Sequence, residues 1–229
     1  MYRKKILSQL AGAVKVIVED YNKDGLPDII VLFAQDNEGI YLFTNTGNGD
    51  FKKTTLLRFP PVYGSTYFEM QDVNGDGAKD IIYTCGDNYD YSRVLKNYHG
   101  IYIFINHPGK GFKQEYFFPM NGCYKAIGRD FDKDGDIDIA AISFFPDLKS
   151  QPQESFVLLN NIGDLKFSPS GIRQNNRGNW ITMDAADVDG DGDEDIVIGS
   201  LLLKIPNTTV PLLTKKNAPA FLLLLNQTR

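Results

Sequence analysis

The strongest constraint on this chain is a nine-residue acidic pattern that occurs four times. Its clearest copy is Asp187-Val188-Asp189-Gly190-Asp191-Gly192-Asp193-Glu194-Asp195, followed at once by the apolar run Ile196 to Ile198. The others begin at Asp20, Asp72 and Asp130, at spacings of 52, 58 and 57 residues along the chain. Each copy places oxygen-bearing side chains at loop positions 1, 3, 5 and 9 and glycine at position 6. A period of this size signals a repeat architecture.

The spacing has a chemical reading. Side chains at positions 1, 3 and 5 of a tightly wound loop converge, and glycine at 6 permits the turn that brings the position 7 carbonyl to the same centre. Hard oxygen donors in this number suit calcium. The expected ligands are Asp20, Asn22, Asp24, Leu26 and Asp28 in the first loop, and Asp72, Asn74, Asp76, Ala78 and Asp80 in the second. Asp130, Asp132, Asp134, Asp136 and Asp138 follow in the third, with Asp187, Asp189, Asp191, Asp193 and Asp195 in the fourth. Leu26, Ala78, Asp136 and Asp193 stand at position 7 and need lend only their carbonyls. Pro27 removes an N–H beside the Leu26 carbonyl and leaves that oxygen free to coordinate. About four Ca²⁺ ions, one per repeat, are therefore expected. Without them two carboxylates ~4 Å apart repel by up to about 4 kcal/mol at a protein-like dielectric.

The same strands recur around each loop. One leads in (Val14 to Val18, Tyr67 to Met70, Tyr124 to Ile127, Ile181 to Met183). One leads out (Ile29 to Phe33, Ile81 to Thr84, Ile139 to Phe144, Ile196 to Ile198). A third ends on Asn45, Asn106, Asn161 or Asn226, and a fourth opens with Phe51, Phe112 or Phe167. Branched and aromatic residues bounded by turn formers predict strands, and 15 Phe with 12 Tyr favour them throughout. Each unit reads as a four-stranded antiparallel meander, with blades at about 13–58, 65–119, 123–172 and 180–229 of a single domain over 1–229. The fourth unit lacks its own fourth strand. Residues 1–10, with Tyr2-Arg-Lys-Lys-Ile-Leu comparable to Phe51-Lys-Lys-Thr-Thr-Leu, read as an orphan outer strand that closes a ring by completing the last sheet. This start has a basic head, but Gln9 and Lys15 interrupt its apolar residues, so it reads as a strand rather than a signal sequence.

The four Asp-x-(Asp/Asn)-x-Asp-Gly-x-x-Asp loops, each followed by Ile-Ile, Ile-Ala or Ile-Val, resemble the FG-GAP/VCBS repeats that are also found in integrin alpha subunits. The likeness runs over essentially the whole length, although the literal Phe-Gly and Gly-Ala-Pro signatures are absent. It implies an all-β beta-propeller of four-stranded blades, either a closed four-bladed ring or the C-terminal part of a larger, seven-bladed one completed by upstream blades. It also implies a secreted, periplasmic or cell-surface protein acting as an adhesion, scaffold or sugar-associated module. An EF-hand is disfavoured because position 12, where a bidentate Glu belongs, holds Val31, Tyr83, Ala141 and Ile198.

Three insertions fall between second and third strands, at 86–100, 146–154 and 206–219, and would emerge on one rim as a face for a protein or glycan. Trp180, Tyr89, Tyr91, Tyr98, Tyr116 and Tyr124 could stack on sugars, although packing between sheets accounts for aromatics equally well. Asn207-Thr-Thr and Asn226-Gln-Thr228 match the N-glycosylation pattern.

Catalytic candidates are few. Glu69 and Asp184 each lie three residues before a first ligand and could form an acid–base pair, as in the propeller of a polysaccharide lyase. His99 and His107, the only histidines, lie in no metal motif. Cys85 and Cys123 read as buried thiols, with a disulfide as the alternative. No catalytic residue is assigned. The net charge of -5 argues against nucleic acid as a partner, and no apolar stretch is long enough to insert in a membrane.

Overall fold

The computed structural model describes residues 1–88, 94–147, 150–151, 154–172, 178–201 and 219–228. Fifteen strands, and no helix, occur among them. The first sheet is β1 (Ala13–Glu19), β2 (Asp28–Phe33), β3 (Gly39–Gly47) and β4 (Asp50–Arg58). The second is β5 (Ser65–Gln71), β6 (Asp80–Cys85), β7 (Gly100–His107) and β8 (Gly111–Pro119). The third is β9 (Cys123–Arg129), β10 (Asp138–Ser143), β11 (Phe156–Asn161) and β12 (Phe167–Ser170). The fourth is β13 (Trp180–Ala186), β14 (Asp195–Ser200) and β15 (Phe221–Leu224). Strand order follows chain order in every sheet, so each is a meander with its acidic loop joining the first strand to the second.

Burial explains the sequence of each strand. The second strands of the first three sheets lie inside their sheets and are covered on both faces, which is why they include unbroken apolar runs such as Ile-Ile-Val-Leu-Phe in β2 and Ile-Ala-Ala-Ile in β10. The fourth strands are edges and carry Lys52, Lys53 and Lys113 toward solvent, a composition that blunts edge pairing.

The chain divides into two compact units, Met1–Ser65 and Thr66–Arg229. In the first, Val31, Phe33, Tyr41 and Phe43 form a core on which Leu10, Ile29 and Phe51 pack. In the second, two cores alternate with three sheets. Ile82, Ile101 and Ile103 of the second sheet meet Ala126, Ile139, Ala141 and Leu159 of the third. Ile127, Ala140, Ile142 and Phe156 on the other face of the third sheet meet Trp180, Met183, Ile196 and Ile198 of the fourth. The alanines of β10 keep that sheet thin between two neighbours. Gly128 serves the same end, since a Cβ there would lie 2.7 Å from Cδ1 of Ile82.

The expected propeller, as a closed four-bladed ring or as part of a larger one, is not formed. Among the described residues the strands form four separate antiparallel sheets, three of four strands and one of three, and no closure into a ring is found. Residues 1–10, expected as the outer strand, form no strand. Their anchors are satisfied within the first unit. Lys5 pairs with Asp50 and donates to the carbonyl of Gly49, and Leu10 packs on the first core. Sequence likeness to β4 says what these residues could pair as; it does not outweigh contacts already made nearby. No helix of the described residues is long and apolar enough to cross a membrane.

Candidate metal centre

The acidic loops are shaped by two left-handed residues each. Position 4 has φ of 61° at Lys23, 73° at Gly75, 62° at Lys133 and 82° at Gly190. Position 6 has 88° at Gly25, 87° at Gly77, 96° at Gly135 and 89° at Gly192, which is why glycine stands there in every copy. The curl turns backbone N–H groups inward. Gly25 and Gly77 donate to the position 1 carboxylates of Asp20 and Asp72 at 2.8 Å, and Gly135 and Gly192 to those of Asp130 and Asp187 at 3.1 and 3.0 Å. Position 5 in turn receives the N–H of position 7, from Leu26, Ala78, Asp136 and Asp193 at 2.8–2.9 Å. These bonds hold the carboxylates in place without consuming all their lone pairs.

In the third and fourth loops the result is convergence. Asp130, Asp132 and Asp138 each bring an oxygen within 4.8 Å of the others, and so do Asp187, Asp189 and Asp195. Either group suits chelation of a metal ion. The first two loops carry Asn22 and Asn74 at position 3, whose amides donate to Asp24 and Asp76 at 2.8 and 3.0 Å.

Position 9 is the most constrained. Asp28, Asp80, Asp138 and Asp195 are all fully buried. Asp80, Asp138 and Asp195 accept the N–H of Val73, Phe131 and Val188 on one oxygen at 2.9–3.0 Å. The other oxygen, in all four, accepts the N–H of the asparagine that ends the third strand: Asn45 at 2.7 Å, and Asn106, Asn161 and Asn226 at 2.8 Å. Each asparagine also donates its side-chain amide to the position 8 carbonyl, of Pro27, Lys79, Ile137 or Glu194, at 3.1–3.3 Å. Sequence reasoning saw these asparagines as turn formers. Their recurrence at the end of the third strand in every repeat, although 17 to 31 residues after position 9, was the available signal that they clamp that strand to the loop. Asn226, whose amide also donates to the Phe131 carbonyl at 2.6 Å, is engaged rather than presented as a glycosylation acceptor, and Asn207 lies outside the described residues.

Electrostatics follow from this packing. Burial pushes the Asp138 carboxyl up to about 6, with Asp132 and Asp134 adding to the push and the N–H bonds from Asn161 and Phe131 opposing it. Burial raises Asp80 as well, and the exposed Asp189 is raised by partial desolvation with the carboxylates of Asp191, Asp195 and Asp187 adding to the push. Asp195 moves the other way, held down by the N–H groups of Asn226 and Val188. Among the described residues, the buried carboxylate oxygens of these loops without a hydrogen-bond partner include Oδ2 of the fully buried Asp28 and Oδ1 of Asp130, with Oε2 of Glu194 beside them. An orphaned buried carboxylate oxygen costs free energy unless a cation meets it, so the all-oxygen donor set fits a hard divalent ion.

The other candidates resolve differently. Glu69 is no free acid: Oε1 accepts from Arg129 at 2.7 Å and Oε2 from the N–H of Gly128 at 3.0 Å, which pins β5 to β9. Asp184 is exposed and makes no bond to Glu69. Glu69→Ala should therefore lower stability by about 2 kcal/mol, because Arg129 loses its partner, whereas Asp184→Asn should stay within about 0.5 kcal/mol. Equal denaturation midpoints for the two variants would restore them as a functional pair.

Trp180 is fully buried, Tyr116 packs on Phe167 at 4.7 Å and Tyr124 on Phe144 at 6.0 Å, so packing accounts for these aromatics. Tyr98 stands edge-on to His99 at 5.3 Å, and Tyr89, Tyr91 and Arg93 lie outside the described residues, as does most of 206–219. His99 is buried, which lowers it to about 4 and keeps it neutral. Cys85 and Cys123 are free buried thiols.

Comparison with known proteins accords with the loops. A family model described as FG-GAP-like repeat matches residues 6–83 and 130–198, which include all four acidic loops. The T-cell immunomodulatory protein homolog of Plasmodium falciparum (isolate 3D7) is 30% identical over 138 residues, 54% of this chain. The match spans only 18% of that relative's length. Among solved structures, an Agrocybe aegerita lectin described as recognising non-reducing terminal N-acetylglucosamine superposes with a TM-score of 0.49 at 18% identity, over 82% of this chain and 48% of the lectin. With two matched regions that together cover more than half of its residues, the chain belongs to the FG-GAP-like repeat family.

Proposed function

We propose that this chain is a non-enzymatic binding module, stabilised by calcium, that works outside the cytoplasm and offers its inter-strand loops to a protein or glycan. One observation carries the cation reading: the oxygens of Asp130, Asp132 and Asp138, and those of Asp187, Asp189 and Asp195, converge within 4.8 Å. Such a cluster is self-repelling until a divalent ion reverses the sign of the interaction. The ligands are the side chains at positions 1, 3, 5 and 9 with the position 7 carbonyl, one Ca²⁺ to a loop. Loops of this kind hold calcium at the millimolar levels found outside cells, which supports the secreted, periplasmic or cell-surface assignment. The binding face is assigned to the connections at 86–100, 146–154 and 206–219 because they are where otherwise matching repeats differ most. Enzymatic use of Glu69 is disfavoured by its bonds to Arg129 and Gly128.

Calorimetric titration with calcium tests this reading, and its pH dependence is specified. In the cation-free protein Asp138 keeps its proton up to about 6, against an ordinary value of 3.8. Between those values the folded state holds a proton that the unfolded chain has released, so raising the pH through this window destabilises the cation-free fold. The same rise strengthens calcium binding, which must expel that proton. Affinity should fall steeply below about pH 6, with proton release on binding there and almost none at neutral pH. No heat of calcium binding at neutral pH, or an affinity indifferent to acid, would overturn the assignment. A glycan array run in calcium and in chelator, beside a turnover assay with an acidic polysaccharide, separates a binding module from an enzyme.

A further inference from the structure

Position 4 of the acidic loops is left-handed in every copy, a conformation glycine takes at least cost, and loops two and four use Gly75 and Gly190 there. Loops one and three instead hold Lys23 and Lys133 in that region, at φ of 61° and 62°. A lysine kept in a strained position invites the question of what its ammonium does. Lys133 answers it across a sheet boundary. Its Nζ pairs with Oδ1 of Asp193, the position 7 side chain of loop four. Asp193 is only 2% exposed, while Lys133 is half exposed, so the ammonium meets a buried carboxylate from the solvent side. It stands close over that loop: a Cβ on Gly192 would lie 3.7 Å from Nζ. Two further bonds join the same pair of repeats, since the Asn226 amide and the Thr228 hydroxyl both donate to the carbonyl of Phe131, at 2.6 and 3.3 Å.

We propose that Lys133 is a built-in counter-cation for loop four, which weakens the hold of that loop on a divalent ion and couples it to loop three. The inference rests on the cation reading above and goes beyond it, because that reading treats the four loops as equivalent and independent. A unit positive charge beside the fourth cluster already offsets part of the repulsion that a metal ion would relieve, and it repels the incoming ion itself. Lys133 also lies between Asp132 and Asp134, so an ion that orders loop three fixes where the ammonium sits. Occupation of loop three then disfavours loop four, and by linkage occupation of loop four disfavours loop three by the same factor.

Calcium titration followed through the backbone amide resonances of Gly135 and Gly192 reads the two loops separately in the intact chain. Lys133→Gly supplies the residue that loops two and four already carry and removes the ammonium without disturbing the left-handed backbone. Lys133→Arg keeps the charge. In K133G the Gly192 signal should reach half-saturation at roughly three- to tenfold lower calcium than in the unaltered protein, an effect that shrinks as salt is added. K133R should leave that midpoint where it was. An unchanged or higher Gly192 midpoint in K133G overturns the proposal even when both loops bind calcium, as does a K133R midpoint that moves with that of K133G. If neither amide responds to calcium in the unaltered protein, the cation reading itself falls and takes this inference with it.

Discussion

Chelating calcium should lower the thermal midpoint of this protein by about ten degrees or more. An ion that binds only the folded state contributes about 2.7 kcal/mol per site when present at a hundred times its dissociation constant. For a chain of this length each kcal/mol moves the midpoint by roughly 2–4 °C. The two compact units hold unequal shares of the loops: Met1–Ser65 contains one, while Thr66–Arg229 contains three. Scanning calorimetry should accordingly find the larger calcium-dependent shift in the larger unit. Magnesium should substitute poorly, since it demands near-octahedral geometry and surrenders its water reluctantly. A melting curve unchanged between calcium and chelator would remove the structural role of the ion.

What the sequence disclosed, and what it did not, divides by the range of the physics involved. The strands and meanders were legible because they depend on local pattern: Ile29 to Phe33 and Ile139 to Ile142 are apolar without a break and must be covered on both faces. The acidic loops were legible because glycine at position 6 and oxygens at 1, 3, 5 and 9 are local requirements as well. Ring closure was not, since it turns on whether residues 1–10 gain more by pairing with a distant sheet or by holding Lys5 on Asp50 and Leu10 on a nearby core. Long-range contacts of single side chains were equally hidden. Nothing in the spacing of Glu69 and Asp184 reveals that Arg129 engages one and leaves the other exposed. The same blindness made Asp136 and Asp193 look alike at position 7, although Asp136 is exposed and Asp193 is buried against Lys133.

That difference between equivalent positions leads to the second large effect, which separates holding the fold from holding the ion. Asp138→Ala should destabilise the protein by about 3–5 kcal/mol even in chelator, because it leaves the buried N–H groups of Phe131 and Asn161 without acceptors. Asp134 is exposed and accepts only the N–H of Asp136, so Asp134→Ala should cost less than about 1 kcal/mol under the same conditions. Adding calcium should widen the gap between Asp134→Ala and the unaltered protein. On the proposed coordination Asp134→Ala then forfeits the stabilisation that an ion would give loop three, and its deficit should grow by about 1–3 kcal/mol, whereas Asp136→Ala should stay within about 0.5 kcal/mol in either condition because position 7 would lend only its carbonyl. Denaturant titrations of the three variants with and without calcium give six numbers for comparison with the unaltered chain. A deficit for Asp134→Ala that ignores calcium would mean that position 5 is no ligand. A small deficit for Asp138→Ala in chelator would mean that the buried aspartates are held for the ion alone, and that the asparagine clamps contribute little to joining the third strand to its loop.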